Sequence, residues 1–166
     1  LTKLFLEQPE IEAIGLGARD SLRLESGLCL YGHDIDTTTT PLEASLIWAI
    51  SKNRRADGER AGNFPGADII LSQISNKDWT RKRVGLLGEG RAPIREGAEL
   101  FNEADEKIGV VTSGTYGPSI EKPVAMGYVA TEFSSLDTKI FAEVRGKKLP
   151  MIVTRAPFIE QRYFRG

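Results

Sequence analysis

Arg19 and Arg23 are the residues whose type and spacing most invite chemistry. They stand four apart in Ala18-Arg19-Asp20-Ser21-Leu22-Arg23-Leu24-Glu25-Ser26, a run without proline, glycine or a β-branched stretch, which predicts a short helix. Gly27 follows at the position of a left-handed cap. On that helix both guanidiniums share one face, where like charges repel by roughly a few tenths of a kcal/mol. Such a pair is stabilised by carboxylates, carbonyls or a ligand. Asp20, Glu25 and Asp34 are the nearby acids, so surface ion pairs are one reading. The other is a ligand. His33, in the polar turn Tyr31-Gly32-His33-Asp34, could act as a lone acid or base, although a turn histidine is more often simply solvated. Cys29 lies in the apolar run Leu28-Cys29-Leu30 and reads as a small core residue rather than a nucleophile.

Much other chemistry is excluded. One histidine and one cysteine cannot assemble a Cys/His metal constellation, so no metal is expected. There is no phosphate-binding P-loop, and Gly15-x-Gly17 runs on to Asp20, not to a third glycine, with no strand before it. The clusters Arg81-Lys82-Arg83 and Arg145-Gly146-Lys147-Lys148 read as exposed strand edges guarded against aggregation rather than as nucleic-acid contacts. Net charge of −1 over 166 residues argues against a general polyanion binder, so no nucleic-acid partner is expected. A hydrophobic content of 40% with 27% charged residues describes an ordinary globular protein. No apolar run approaches the ~18 residues of a membrane helix, so no membrane partner is expected either. A single cysteine fits a reducing compartment, and the opening LTKLFLEQPE resembles neither a signal nor a transit peptide.

The elements that must position these residues change character along the chain. Leu1 to Leu6 is short and apolar-alternating, and Pro9 to Ile14 could open a helix. Thr40, Pro41 and Glu43 form an N-cap, an N1 proline and a capping box. They predict a helix reaching Arg55 with Leu42, Leu46, Ala49 and Ile50 inward. Ala56 to Asn63 is a loop, and Pro65 to Ile74 is a second helix with Ala67, Ile70, Leu71 and Ile74 inward. Beyond the break Ser75 to Asp78 the apolar period falls from about 3.6 to 2. Short strands are predicted around 83–87, 93–101, 107–113, 124–131, 140–144 and 149–154. Ile140, Ala142 and Val144 face one side, Arg145-Gly146-Lys147 makes a hairpin turn, and Pro150 marks an edge or a bulge. The expected class is therefore α+β: a mixed α/β segment over 1–76, then an antiparallel β-barrel or sandwich over 77–166.

The stretch GLGARDSLRLESGLCLYGHDID closely resembles the aminomethyltransferase family of the glycine cleavage system, the T-proteins, which are folate-dependent enzymes. TTTTPLEASLIWAISK, KIGVVTSGTYGPSI, PVAMGYV, EVRGKKLP and APFIEQRY resemble the family in the same order. The resemblance covers essentially the whole chain. It implies that 1–76 is the C-terminal part of the folate-binding domain and 77–166 a C-terminal β-barrel domain. It implies that Arg19, the arginine of the GARD motif, contacts folate, that Tyr163 of APFIEQRY lines the same site, and that Asp34 braces its turn. The family's chain is more than twice this length, so no catalytic residue is expected here. The catalytic aspartate and a pterin-binding glutamate belong to the N-terminal part, which would be a partner of this piece, and the piece alone is expected to be inactive. The implied reaction moves a one-carbon unit from the aminomethyl-lipoyl arm of H-protein to tetrahydrofolate, in a bacterial cytoplasm or a mitochondrial matrix. The alternative is a non-catalytic scaffold, or a module of a related folate enzyme of the dimethylglycine or sarcosine oxidoreductase type.

Overall fold

In a computed structural model, residues 1–162 and 164 are described. Three α-helices precede six strands: α1 (Thr2–Leu6), α2 (Leu16–Glu25), α3 (Ala67–Asn76), β1 (Arg81–Gly88), β2 (Glu99–Phe101), β3 (Lys107–Gly117), β4 (Lys122–Ala130), β5 (Lys139–Val144) and β6 (Lys147–Thr154). The strands close into an antiparallel barrel in the order β1-β4-β3-β2-β5-β6. Alternation fills its interior with Val84 and Leu86 of β1, Ile140 and Ala142 of β5, and Met151 and Val153 of β6, with Val144 packed against them. The hairpin between β5 and β6 turns through Arg145 (φ 53°) and Gly146 (φ 74°), the pair of positive φ values that a two-residue turn needs. Pro150 lies opposite Phe141, beyond the last β1–β6 pair, Gly88 with Met151. β6 pairs with β1 only from Gly85 onward, and ahead of it the Glu43–Ser45 segment bonds to β1 at Arg83, so the Arg81-Lys82-Arg83 cluster is not a free edge. Arg81 pairs with Glu43 at 3.0 Å, and Arg83 is buried.

α2 forms where expected and closes in a Schellman ending. The Leu28 amide donates to the Arg23 carbonyl and the Gly27 amide to Leu24, with Gly27 at φ 71°. A side chain at Gly27 would also meet Ala156 Cβ at 2.7 Å. Leu24 is fully buried against Val124 and Met126, so α2 lies on the outer face of the barrel. α3 follows its predicted span within two residues, with Ile70 buried. The N-terminus is helical over Thr2–Leu6 instead, and the expected helix at 9–14 is absent. β2 is three residues long, much shorter than the predicted 93–101.

The helix predicted from Thr40 to Arg55 does not form. Its capping box does: the Thr40 amide donates to Glu43 Oε2 at 2.9 Å and the Glu43 amide to Thr40 Oγ1 at 3.3 Å. One turn later Ser45 adopts φ 58°, the Leu46 amide donates to Pro41 and the Ser45 amide to Leu42, which ends the turn as a Schellman motif. Tertiary bonds outcompete helix propagation there. The Glu43 carbonyl accepts the Arg83 amide at 2.7 Å, the Ala44 carbonyl accepts Arg83 Nε at 2.9 Å, and Ser45 Oγ donates to the Arg83 carbonyl at 3.0 Å. Leu42 and Ala44 are buried by this docking, and only short 3-10 turns at Ile47–Ala49 and Lys52–Arg54 follow.

Candidate functional site

α2 presents Arg19 from its first turns and Arg23 one turn later, and the two residues have different fates. Arg23 is 9% exposed and its guanidinium is fully engaged. Nε donates to Asp20 Oδ1 at 2.8 Å, Nη1 to Asp34 Oδ2 at 2.6 Å, and Nη2 to Ser113 Oγ at 2.7 Å. Asp34, 1% exposed, also accepts the Leu30 amide at 2.9 Å and Thr112 Oγ1 at 2.6 Å. The register of β3 against β4 shifts between Val111 and Ser113. That bulge lets two consecutive strand residues, Thr112 and Ser113, reach the same ion pair, which a regular pleat would forbid. Asp34 thus braces its turn, as expected, and also anchors α2 to the barrel. Glu25 does not pair with either arginine. It is buried and accepts from the Ser119 amide, Ser119 Oγ and the Ile120 amide at 2.7, 2.8 and 3.1 Å.

Arg19 is exposed and makes no hydrogen bond or ion pair with another described residue. It lines an open cleft of about 600 Å³ together with Leu16, Arg23, His33, Arg95 and Ser113. Arg95, on the loop before β2, is equally unengaged among the described residues. His33 is not free: its Nδ1 lies 2.6 Å from Glu96 Oε2, which ties the Tyr31–Asp34 turn to that loop across the rim of the cleft. The cleft offers two permanently charged guanidinium forks and a histidine, with Asp20 already held by Arg23. Such a surface suits a carboxylate or a plane of carbonyl oxygens. Tyr163, the other expected folate contact, lies outside the described residues. Arg95, Glu96 and Ser113 carried no sequence signal, because a loop and a bulge bring them to α2 from far along the chain.

Cys29 is half-buried, and burial pushes its thiol up. Tyr128 donates to the Asp34 carbonyl at 2.8 Å, and burial pushes its phenol up to about 12. Among the described residues no group of three His, Cys, Asp or Glu could hold a metal ion, and no helix is long and apolar enough to cross a membrane.

Comparisons with known proteins agree with one another. Residues 81–160 match the model of the glycine cleavage T-protein C-terminal barrel domain, and residues 5–54 that of the GCVT N-terminal domain. The chain is 48% identical over 164 residues to a mitochondrial aminomethyltransferase of Homo sapiens, covering 99% of this chain and 39% of that protein. It is 46% identical over 154 residues to the mitochondrial aminomethyltransferase of Dictyostelium discoideum, covering 92% and 37%. The crystal structure of the glycine cleavage system aminomethyltransferase T from Bartonella henselae superposes with a TM-score of 0.91 at 49% identity, over 99% of this chain and 44% of that one. The chain therefore spans about two fifths of the length of the relatives it matches. With both family models matched in order and the barrel of the fold present, the chain belongs to the glycine cleavage T-protein family, as a C-terminal portion of it.

Proposed function

We propose that this chain supplies one wall of the folate site of a glycine-cleavage aminomethyltransferase. Residues 1–76 would be the end of the folate-binding domain and 77–166 the barrel domain packed beneath it. In the whole enzyme, N5 of tetrahydrofolate bonds to the methylene carbon delivered on the lipoyl arm of H-protein. The carbon–sulfur bond breaks to leave the dihydrolipoyl carrier, N10 bonds to the same carbon as its bond to the amino nitrogen breaks, and ammonia and 5,10-methylenetetrahydrofolate are released. Folate brings its own nucleophile, so what the protein adds is orientation and proton management. The carboxylate for the proton step is assigned to the part of the family's chain outside these residues. This chain alone would therefore not turn over.

The observation that carries this reading is the unengaged Arg19 guanidinium on the 600 Å³ cleft, beside a second unengaged guanidinium at Arg95. A fork with no protein partner can clasp the folate carboxylate or its pterin oxygens without first breaking a bond within the protein. Titration calorimetry with tetrahydrofolate on the full-length parent tests it. Arg19→Ala should weaken binding by about 1.5–3 kcal/mol, the loss of a charge-assisted hydrogen bond. Arg19→Lys should recover part of that, keeping the charge without the fork. Unchanged affinity in Arg19→Ala would remove Arg19 from the site.

A further inference from the structure

His33 and Glu96 meet at the rim of the Arg19 cleft, and the fold holds both of them there. His33 precedes Asp34, which is 1% exposed, accepts Thr112 Oγ1 at 2.6 Å and receives the Tyr128 hydroxyl at its carbonyl at 2.8 Å. Glu96 lies two residues after Ile94, which is 1% exposed in the barrel core, and the next amide, Gly97, donates to the Val111 carbonyl at 2.9 Å. Anchored backbones on both sides thus bring His33 Nδ1 to 2.6 Å from Glu96 Oε2, although the side chains are 45% and 55% exposed. Across the cleft, Arg23 Nη2 bonds Ser113 Oγ at 2.7 Å, so α2, the Tyr31–Asp34 turn, the loop before β2 and β3 all border one space. A carboxylate only accepts, so the bond to Glu96 puts a hydrogen on Nδ1. Neutral His33 therefore carries a bare Nε2, and only the imidazolium donates from it. Nε2 has no partner among the described residues. The charged groups around the ring are Arg19, Asp20 and Arg23 of α2, and Arg95 and Glu96 of the loop before β2. Its own turn adds Tyr31 and Asp34, the latter taken by Arg23, and β3 offers only the uncharged Ser113 and Gly114.

On the folate reading of the Arg19 cleft, on which this depends, we propose that His33 is a further ligand contact. Glu96 sets the ring in place, and Nε2, protonated from solvent, donates a hydrogen bond to a carboxylate oxygen of the bound folate. Arg19 and Arg95, without protein partners, draw an anion into the space that the ring borders. A carboxylate brought there cannot bond a bare Nε2, because both atoms present lone pairs, so binding is completed by proton uptake at the ring. The proton returns to solvent when the ligand leaves. Glu96 supports the change, since its negative charge favours the imidazolium.

Titration calorimetry with tetrahydrofolate under argon, on the full-length parent, tests this through its pH dependence. Affinity should rise about fivefold from pH 8 to pH 6, part of the roughly tenfold that one charge-assisted hydrogen bond is worth. His33→Asn should lose most of this rise, whereas loss of a merely structural residue would lower affinity equally at every pH. At pH 7, in two buffers of different ionisation heat, the parent should take up more of a proton on binding than His33→Asn does. In Glu96→Ala the rise should move to lower pH, because the imidazolium loses the carboxylate beside it. The same pH dependence in the parent and in His33→Asn, or a proton released on binding, would overturn the proposal. An affinity unmoved by Arg19→Ala would instead overturn the folate reading. Affinity lost in Arg19→Ala, with the pH dependence intact in His33→Asn, would remove His33 alone.

Discussion

Arg23 and Asp34 form a buried ion pair, Nη1 to Oδ2 at 2.6 Å, that joins α2 to the turn after it and, through Ser113 and Thr112, to β3. Breaking one side leaves the other charge without compensation in a place water reaches poorly. Arg23→Ala should therefore lower unfolding stability by about 3–5 kcal/mol in urea denaturation. Arg19→Ala, one turn earlier on the same helix, should change it by less than about 0.5 kcal/mol. A loss below about 1 kcal/mol for Arg23→Ala would show that the network is solvated rather than buried.

Glu25 clamps α2 to the β3–β4 hairpin through three donors at Ser119 and Ile120. Glu25→Ala removes both acceptor oxygens and leaves the Ser119 and Ile120 amides and the Ser119 hydroxyl without that partner. The expected cost is about 1.5–3 kcal/mol. Hydrogen exchange of the Ser119 and Ile120 amides should quicken in the variant. Parental exchange rates there would contradict the clamp.

Gly114 lets β3 pass close under the loop that carries Arg95 and Glu96. A Cβ at this position would lie 2.0 Å from the Ile94 carbonyl oxygen, a backbone atom that cannot swing aside. Gly114→Ala should cost about 1–3 kcal/mol as the loop is pushed outward. Glu96 moves with the loop, so the ring resonances of His33, the one histidine, should shift. Parental His33 resonances in a folded variant would place the strain elsewhere.

Glu43 sets a pH dependence whose sign can be worked out. Burial acts to raise its carboxyl, but the hydrogen bond from Arg81, the Thr40 amide and the Arg81 charge together outweigh burial and hold it below the usual glutamate value of 4.5. A carboxyl lowered by folding contributes stability that is complete above its unfolded value and is lost as pH falls through its folded one. The urea midpoint of the parent should thus fall more steeply below pH 4.5 than that of Glu43→Gln. At pH 7 the variant should be less stable by up to about 1 kcal/mol, as for a partly exposed pair. Parallel curves would remove the Arg81–Glu43 bond from the account.

What the sequence determined by itself is whatever depends on near neighbours. The change of apolar period after Asn76, the alternation of Ile140, Ala142 and Val144, the αL glycine closing α2 and the Arg-Gly hairpin all follow from side-chain spacing and backbone sterics within a few residues. The capping box at Thr40 and Glu43 was legible for the same reason. The length of the helix after it was not. Propagation past Ala44 lost to hydrogen bonds with Arg83, a residue 39 positions away. The partners of Arg23 were half legible: Asp20 is one turn away, whereas Ser113 arrives from 90 positions on through a bulge that no local pattern announces. The same holds for Arg95 beside Arg19. Local rules place a charge on a helix or a strand. Only closure of the barrel decides which distant groups surround it, and so which arginine is spent on the fold and which is left exposed.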